Sequence, residues 1–252
     1  MLSVERKQRI LDYLASQKSV QVNELSGYLD VSLATVRRDL QELEDQGSLR
    51  RVHGGAVIVN RQSEPPILLR KYQQAEVKQR IGAAAAALVG DNETIFLASG
   101  TTTEAAIPFL ADKLNITIIT NAINIAQQLI HYPQISTIVL GGWLRHSELS
   151  LLGHLTEQAL QDLRADKLFL GAFGIDPDYG LTGSNVQEVQ TDHQIISIAR
   201  ELIVLADHTK FGKVGNIRLA PMEAVSTVVT DHEAPATQVE ALRNLGVRVI
   251  LG

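Results

Sequence analysis

Residues 32–40 read SLATVRRDL. Ser32 suits the N-cap of a helix, because its side-chain oxygen can accept from the amides of the first turn. Val36, Leu40 and, three residues on, Leu43 repeat at spacings of four and three. That is one face of a helix. Ala34, Thr35, Arg37, Arg38 and Gln41 fall outside it. The spacing predicts a helix running to about residue 46 and stopping at Gly47. An arginine pair on a helix is by default a solvated surface, so the flanking sequence decides whether this one does more.

Upstream, Ile10, Leu11 and Leu14 predict a helix over 4–16. Ser3 can cap it only in part, since Arg6 stands where a capping box wants Glu or Gln. Residues 17–19 break the pattern, Val20 and Val22 alternate with polar residues, and Asn23 starts a short amphipathic segment with Leu25, Tyr28 and Leu29. Asp30-Val31 is a tight connection. A supporting helix followed by two helices across a short turn is the helix-turn-helix arrangement, whose second helix enters the major groove of DNA by its N-terminal residues. The outward residues suit that task. Arginine forks to guanine O6 and N7, threonine meets a thymine methyl or a phosphate, and Ala34 permits close approach. Downstream, residues 48–59 (SLRRVHGGAVIV) predict two short strands around His53-Gly54-Gly55. Such a hairpin forms a wing that lays Arg50, Arg51 and His53 along the sugar-phosphate backbone. The DNA-binding candidates are therefore Ser32, Ala34, Thr35, Arg37, Arg38, Gln41, Arg50, Arg51 and His53.

The net charge of −5 argues against a generally basic coat. Through Arg61 there are nine basic and eight acidic residues, leaving 14 and 20 of the chain's 23 and 28 for the rest. The acidic excess belongs to the larger part, and local fields decide contact with phosphates. The chain has no cysteine, which excludes disulfides and thiolate metal sites. Its seven histidines show no pair four apart. No apolar run approaches the ~20 residues of a membrane span, and nothing at the start reads as a signal peptide. A cytoplasmic protein is expected.

Residues 60–66 (NRQSEPP) are polar and end in two prolines, which cannot continue a helix. The domain boundary is placed there. A winged helix-turn-helix domain at 1–60, a linker at 61–75 and a larger domain at 76–252 are expected. In the larger domain a helix runs from about Gln73 through the alanine run to Val89. Strand patterns at 94–98, 117–120, 137–140, 167–170, 202–206, 224–230 and 247–251 then alternate with helical ones at 104–114, 123–131, 155–163, 189–199 and 237–245. This alternation implies an α/β fold with a mostly parallel sheet.

In such sheets ligands bind beyond the carboxyl ends of the strands. Small and polar residues recur there. Ser99-Gly100-Thr101-Thr102-Thr103 follows one strand and leads into a helix, offering hydroxyls and free amides to a phosphate. Asn121 follows the next, Gly141-Gly142 with Arg145 the third, Gly174 to Asp176 another, and Lys210 lies beyond a fifth. Lys210 and Arg145 add positive charge; Asn121, Asp176 and Glu188 suit sugar hydroxyls. Arg145 and Glu188, each taken alone, read first as members of a surface ion pair. The row as a whole suits a phosphorylated sugar.

Residues 6–40 resemble the DeoR family of bacterial repressors, through Arg6, Ile10, Leu14, Ser32 and the run Thr35-Val36-Arg37-Arg38-Asp39-Leu40. Residues 49–56 (LRRVHGGA) continue the likeness. The resemblance implies that Asp39 is an internal partner orienting an arginine. The segments SGTTT at 99–103, TN at 120–121, LGG at 140–142, GAFGID at 171–176 and DHTKFG at 207–212 resemble the family's sensor domain over about 78–231. That domain is similar to ribose-5-phosphate isomerase, so the resemblance implies a phosphosugar isomerase/CoA transferase-like fold and a phosphorylated sugar effector. The family often has aspartate where this chain has Ala98, so a sugar-hydroxyl contact is absent at that position.

The rival reading is a phosphosugar isomerase carrying a DNA-binding domain. Isomerisation needs a positioned carboxylate base. The related enzymes resemble GADEID where this chain has GAFGID, so Phe173 and Gly174 replace two acids. No Walker loop, G-x-G-x-x-G or G-x-S-x-G occurs. The sequence thus predicts a ligand-controlled transcription repressor with no catalytic residues, no cofactor and no metal. Its expected partners are operator DNA and a second copy of itself, since symmetric assembly presents two reading heads to paired half-sites.

Overall fold

The computed structural model describes residues 3–17, 19–45, 48–58 and 65–252. They form two compact units that meet in sequence between Gln73 and Gln74. The expected helix stop at Gly47 and most of the polar stretch expected at the boundary, 60–64, lie outside the described residues. Among those described, no helix is long and apolar enough to cross a membrane.

The first unit runs α1 (Ser3–Gln17), β1 (Ser19–Gln21), α2 (Val22–Leu29), α3 (Leu33–Asp45), β2 (Leu49–Val52), β3 (Gly55–Ile58) and α4 (Ile67–Arg70). The apolar repeat that predicted the helices also builds the core. Ile10, Leu11 and Leu14 of α1 meet Leu25 and Leu29 of α2 and Val36, Leu40 and Leu43 of α3. Asp30 ends α2 in the left-handed conformation, at φ 52°, and turns the chain toward α3. The hairpin β2–β3 forms as expected, but it is not alone. The start of the Val20–Val22 alternation is a short strand, β1, which pairs antiparallel with β3 in the order β1-β3-β2, while Val22 opens α2. The two wing glycines have separate reasons. Gly54 takes φ +79° in the turn. At Gly55 a Cβ would lie 2.1 Å from the Val20 carbonyl oxygen, so β1 can approach only a glycine. Within the stretch expected as linker, α4 places Leu69 in the first unit's core.

The second unit opens with α5 (Ala75–Ala86), whose Ile81, Ala85 and Ala86 are buried. It continues with β4 (Thr94–Leu97), α6 (Thr101–Glu104), β5 (Thr117–Thr120), α7 (Ile123–Leu129), β6 (Ser136–Val139), β7 (Trp143–Arg145), β8 (Ser150–Leu152) and α8 (His154–Leu160). Then come β9 (Ala165–Gly171), β10 (Gly174–Asp176), β11 (Gly180–Gly183), α9 (Val186–Ser197), β12 (Ala199–Leu205), β13 (Ile217–Ala220), β14 (Thr227–Thr230), α10 (Ala236–Asn244) and β15 (Arg248–Leu251). A seven-stranded sheet has the order β15-β14-β12-β9-β4-β5-β6. Every pair in it is parallel. All seven expected strands are in it, with ends displaced by up to three residues.

Both faces of this sheet are buried. Phe96, Leu168, Leu170 and Val204 point into one core, while Ile95, Leu97, Phe169 and Ile203 point into the other. A strand covered on both sides reads as an unbroken apolar run, which is why these strands are legible in the sequence. The expected helix over 104–114 is instead α6 and a separate 3₁₀ turn at Ile107–Leu110. Pro108 has no amide to donate, so the α-helical ladder cannot continue. Two smaller antiparallel sheets, β7–β8 and β10-β11-β13, were not expected. Their strands of three or four residues are too short to print a periodicity.

The strand order fixes where the sheet opens. From β4 the chain winds outward through β5 to β6, returns to β9 on the other side of β4, and winds out through β12, β14 and β15. The direction reverses between β4 and β9. A crevice forms at such a reversal, outside the carboxyl ends of the two strands.

Candidate functional site

The face of the first unit expected to meet DNA is built by α3. Ser32 caps it: the Thr35 amide donates to Ser32 Oγ at 3.2 Å, and the two hydroxyls lie 2.9 Å apart. With Val36, Leu40 and Leu43 turned inward, Ser32, Ala34, Arg37, Arg38 and Gln41 are exposed and Thr35 is half-buried. Arg50, Arg51 and His53 are exposed on the wing. Helix and wing are tied together, since the Arg51 amide donates to Glu44 Oε1 at 2.8 Å and the Arg51 guanidinium donates to Gln41 Oε1. Gln41 also donates to Asp45 Oδ1 at 2.8 Å. All nine expected residues therefore lie on α3, at its cap or along the wing.

Asp39 is buried and points away from that face. Arg6 on α1 donates to it through Nε at 2.5 Å and Nη2 at 3.0 Å. This bidentate pair supplies the internal partner that the resemblance implied, and the arginine it orients is Arg6, not Arg37 or Arg38. Burying Asp39 without such a partner would cost several kcal/mol. One turn on, Glu42 contacts Lys7 of α1 and accepts from Arg38 Nε at 3.0 Å. Two acid–base contacts thus fix the pitch of α3 against α1.

In the second unit the reversal of strand order sets the segment after β4 beside the segment after β9. A Cβ on Gly171 would come within 3.7 Å of the Ser99 carbonyl oxygen. Gly100 is the N-cap of α6, and Thr101, Thr102 and Thr103 form its first turn, all buried. The helix starts three residues earlier than expected, so the threonines lie within it. Thr103 differs from its neighbours, because its hydroxyl donates to the carbonyls of Ala98 and Gly100, each at 2.8 Å. It closes the loop from inside and is not a free hydroxyl. At the end of β5, Asn121 is buried, donates to the Leu151 carbonyl at 3.1 Å, and leaves Oδ1 without a hydrogen-bond partner. Gly141 is exposed, and its carbonyl accepts from Thr156 Oγ1 at 2.7 Å; Gly142 follows at φ +155°.

Beyond β12, Asp207 caps a 3₁₀ turn, His208–Lys210, by accepting from the Thr209 amide at 3.0 Å. That turn is held from β14. Asp231, wholly buried, accepts from the His208 amide at 2.7 Å and lies 3.0 Å from His208 Nδ1. Asp231 was not among the expected residues. Its signal was available, since it too follows a strand directly. Phe211 forms a bridge with Ile175, and the Gly212 amide donates to the Ile175 carbonyl at 2.9 Å. The loop carrying Lys210 is therefore stitched to β10.

Three expected ligand contacts are otherwise engaged. Asp176 Oδ1 accepts from the Asp178 and Tyr179 amides at 2.9 and 3.0 Å and so closes the β10–β11 turn. Arg145 and Glu188 form an ion pair with each other, as each suggested when taken alone. Glu188 also lies in the first turn of α9, where its amide donates to the N-cap Asn185 at 3.0 Å. Around this pair sit Asp192 and Glu148. Burial pushes the Asp192 carboxyl well above the ordinary carboxylate range; Glu188 and Glu148 add to the push and Arg145 opposes it. Arg145 is thus compensated by carboxylates and brings little net positive charge.

Gly174 bears on the enzyme question. A Cβ there would lie 2.0 Å from the Lys213 carbonyl oxygen and 3.0 Å from Thr182 Oγ1. The position has no room for a side chain, acidic or otherwise, without moving the 211–215 segment. Half-buried Phe173 beside it has no ionisable group.

Residues 6–62 match the DeoR-like helix-turn-helix domain, and residues 73–232 match the DeoR C terminal sensor domain. The chain belongs to the DeoR family. The glycerol-3-phosphate regulon repressor of Escherichia coli (strain K12) is 32% identical over 251 residues, with all of both chains covered. A putative aga operon transcriptional repressor of Escherichia coli O157:H7 is 32% identical over 250 residues, covering 98% of this chain and 93% of that one. Among solved structures, ribose 5 phosphate isomerase A from Neisseria gonorrhoeae is 16% identical at a TM-score of 0.41, covering 55% of this chain and 54% of that one. As a DeoR-family member the chain is a DNA-binding transcriptional regulator, with the helix-turn-helix in its first unit and the sensor domain in its second.

Proposed function

We propose that this chain represses carbohydrate-utilisation genes in the cytoplasm and that a phosphorylated sugar controls it. Its first unit reads operator DNA through α3 and the wing. A homo-oligomer presents paired heads to paired half-sites. Its second unit binds the sugar phosphate in the crevice between β4 and β9 and releases DNA through a coupling of about 1–3 kcal/mol.

The observation that carries this reading is the reversal of strand order at β4 and β9, which sets the Ser99–Thr102 segment against the turn after β9. The amides and hydroxyls of Thr101 and Thr102 form a phosphate seat, with Lys210 as the cation beside it. The unpartnered Oδ1 of Asn121 accepts from a sugar hydroxyl. Arg145, Glu188 and Asp176 serve the frame of the crevice, since each is committed to a protein partner. One relative is named for a regulon of a phosphorylated metabolite, glycerol-3-phosphate. An isomerase reading is disfavoured by Gly174, where no base fits.

The test is a thermal-shift screen against phosphorylated sugars, since a ligand at about 100 times its dissociation constant stabilises by ~2.7 kcal/mol. The variant Thr101→Ala/Lys210→Ala is expected to lose the shift and the ligand's effect on DNA while still binding DNA. A response that survives this pair of substitutions places the pocket elsewhere, and turnover of any sugar phosphate defeats the sensor reading.

A further inference from the structure

Arg38 is the most exposed cation of the reading helix for which a fixed contact is seen. Its side chain is 82% exposed, yet its Nε is held by Glu42 Oε1 at 3.0 Å. Glu42 does not reach out for it unaided. Its other carboxylate oxygen contacts Lys7, whose side chain is only 11% exposed. Lys7 therefore anchors the acid, and the acid holds the arginine. Lys7 first and Arg38 second draw the Glu42 carboxyl below the usual carboxylate range, which keeps it anionic. Arg38 and Glu42 also border a groove of about 440 Å³ between α1 and α3, lined with them by Ser3, Arg6, Ala34, Thr35 and Asp39.

We infer that Glu42 is a resident counter-ion: its carboxylate holds the place at Arg38 that a DNA phosphate oxygen takes on binding. The inference rests on the reading that the outer face of α3 meets DNA. Glu42 engages the Nε of Arg38 from one helical turn away on the same helix, so a phosphate oxygen that takes this donor displaces the carboxylate. Exposed ion pairs contribute only about 0.2–1 kcal/mol, so this exchange is cheap but not free. Every duplex carries phosphates, so the acid lowers affinity for all sequences. Its effect is to limit sequence-independent binding by a helix that carries two adjacent arginines.

The test uses the full-length protein and two probes: a duplex selected from random sequence by the wild-type chain, and a scrambled duplex of equal length. Glu42→Gln keeps the shape and removes the charge. Measured where circular dichroism shows both proteins folded, it is expected to bind the scrambled duplex about two- to fivefold more tightly at low salt. The slope of log affinity against log salt is expected to stay the same, because Arg38 meets a phosphate in both proteins and only the carboxylate's competition is removed. In the Arg38→Gln background the same substitution is expected to change neither quantity. Equal tightening in both backgrounds means that Glu42 acts only through its long-range charge and overturns the inference. Weaker binding by a folded Glu42→Gln also overturns it, because Glu42 then positions Arg38 for contact. If Arg38→Gln alone leaves the scrambled-duplex affinity unchanged, this face of α3 does not meet phosphate, and the reading of the face fails together with the inference.

Discussion

The two units handle polar chemistry in opposite ways. The first turns it outward. Ser32, Ala34, Arg37, Arg38 and Gln41 are exposed on one side of α3, while side chain–side chain contacts such as Arg6–Asp39 and Lys7–Glu42 fix the helix from behind. The second turns it inward. Thr101, Thr102, Asn121 and Asp231 are buried at the ends of parallel strands, and backbone ladders do most of the positioning. A surface that meets a polyanion works by exposed charge, whose placement depends on a few side-chain pairs. A crevice that encloses a small ligand works by exclusion of water, and its precision comes from a covered sheet. The first is therefore vulnerable at single ion pairs, and the second at close backbone approaches.

Asp39→Ala breaks the pattern most severely. It leaves the half-buried Arg6 without its carboxylate, and a group left without its hydrogen-bond partner costs up to about 3 kcal/mol. Calorimetry is expected to show the first unit melting earlier while the second is unchanged; an undisturbed first transition would mean that the pair is not what holds α3. Gly174→Ala is the counterpart in the second unit. The added methyl meets the Lys213 carbonyl, and overpacking of this kind costs about 1–3 kcal/mol. The second transition is expected to fall and DNA affinity to persist. If ligand binding falls with it, the 211–215 segment is part of the crevice.

The smallest effect is expected at Asp192. Its carboxyl binds a proton more tightly folded than unfolded, first because it is buried and then because of Glu188. The second unit therefore loses stability as pH rises from the ordinary carboxylate range toward the raised folded value. Asp192→Asn is expected to flatten that slope and to stabilise the second unit at neutral pH, as read by melting temperature against pH. A slope that is unchanged in the variant would assign the dependence to other groups.

Much of this was legible in the chain. The inner strands of the main sheet were readable because each is a mainly apolar run covered on both faces, and the edge strands β6 and β15, exposed or half-buried, by their apolar β-branched residues. The outward residues of α3 were readable as the complement of Val36, Leu40 and Leu43. The short strands β1, β7, β8, β10, β11 and β13 were not, since a pair of alternations fits too many conformations. The same holds for the break at Pro108, where helical residue types continue past a missing amide. Within the candidate crevice, residue types were readable but their commitments were not. Asp176, Thr103 and the Arg145–Glu188 pair looked available and proved to be engaged, because whether a polar group is free depends on neighbours that lie far away in sequence.

The sequence by itself determined the longer helices, the seven strands of the main sheet and the residues at their ends, because periodicity and end residues are local properties. It also supplied SLATVRRDL with its inward and outward faces. Only the tertiary structure decided that Asp39 belongs to Arg6 and Glu42 to Lys7. The strand order that reverses at β4, and the lack of room for a side chain at Gly174, were decided there too. These are contacts between segments tens of residues apart, and no local pattern encodes the partner.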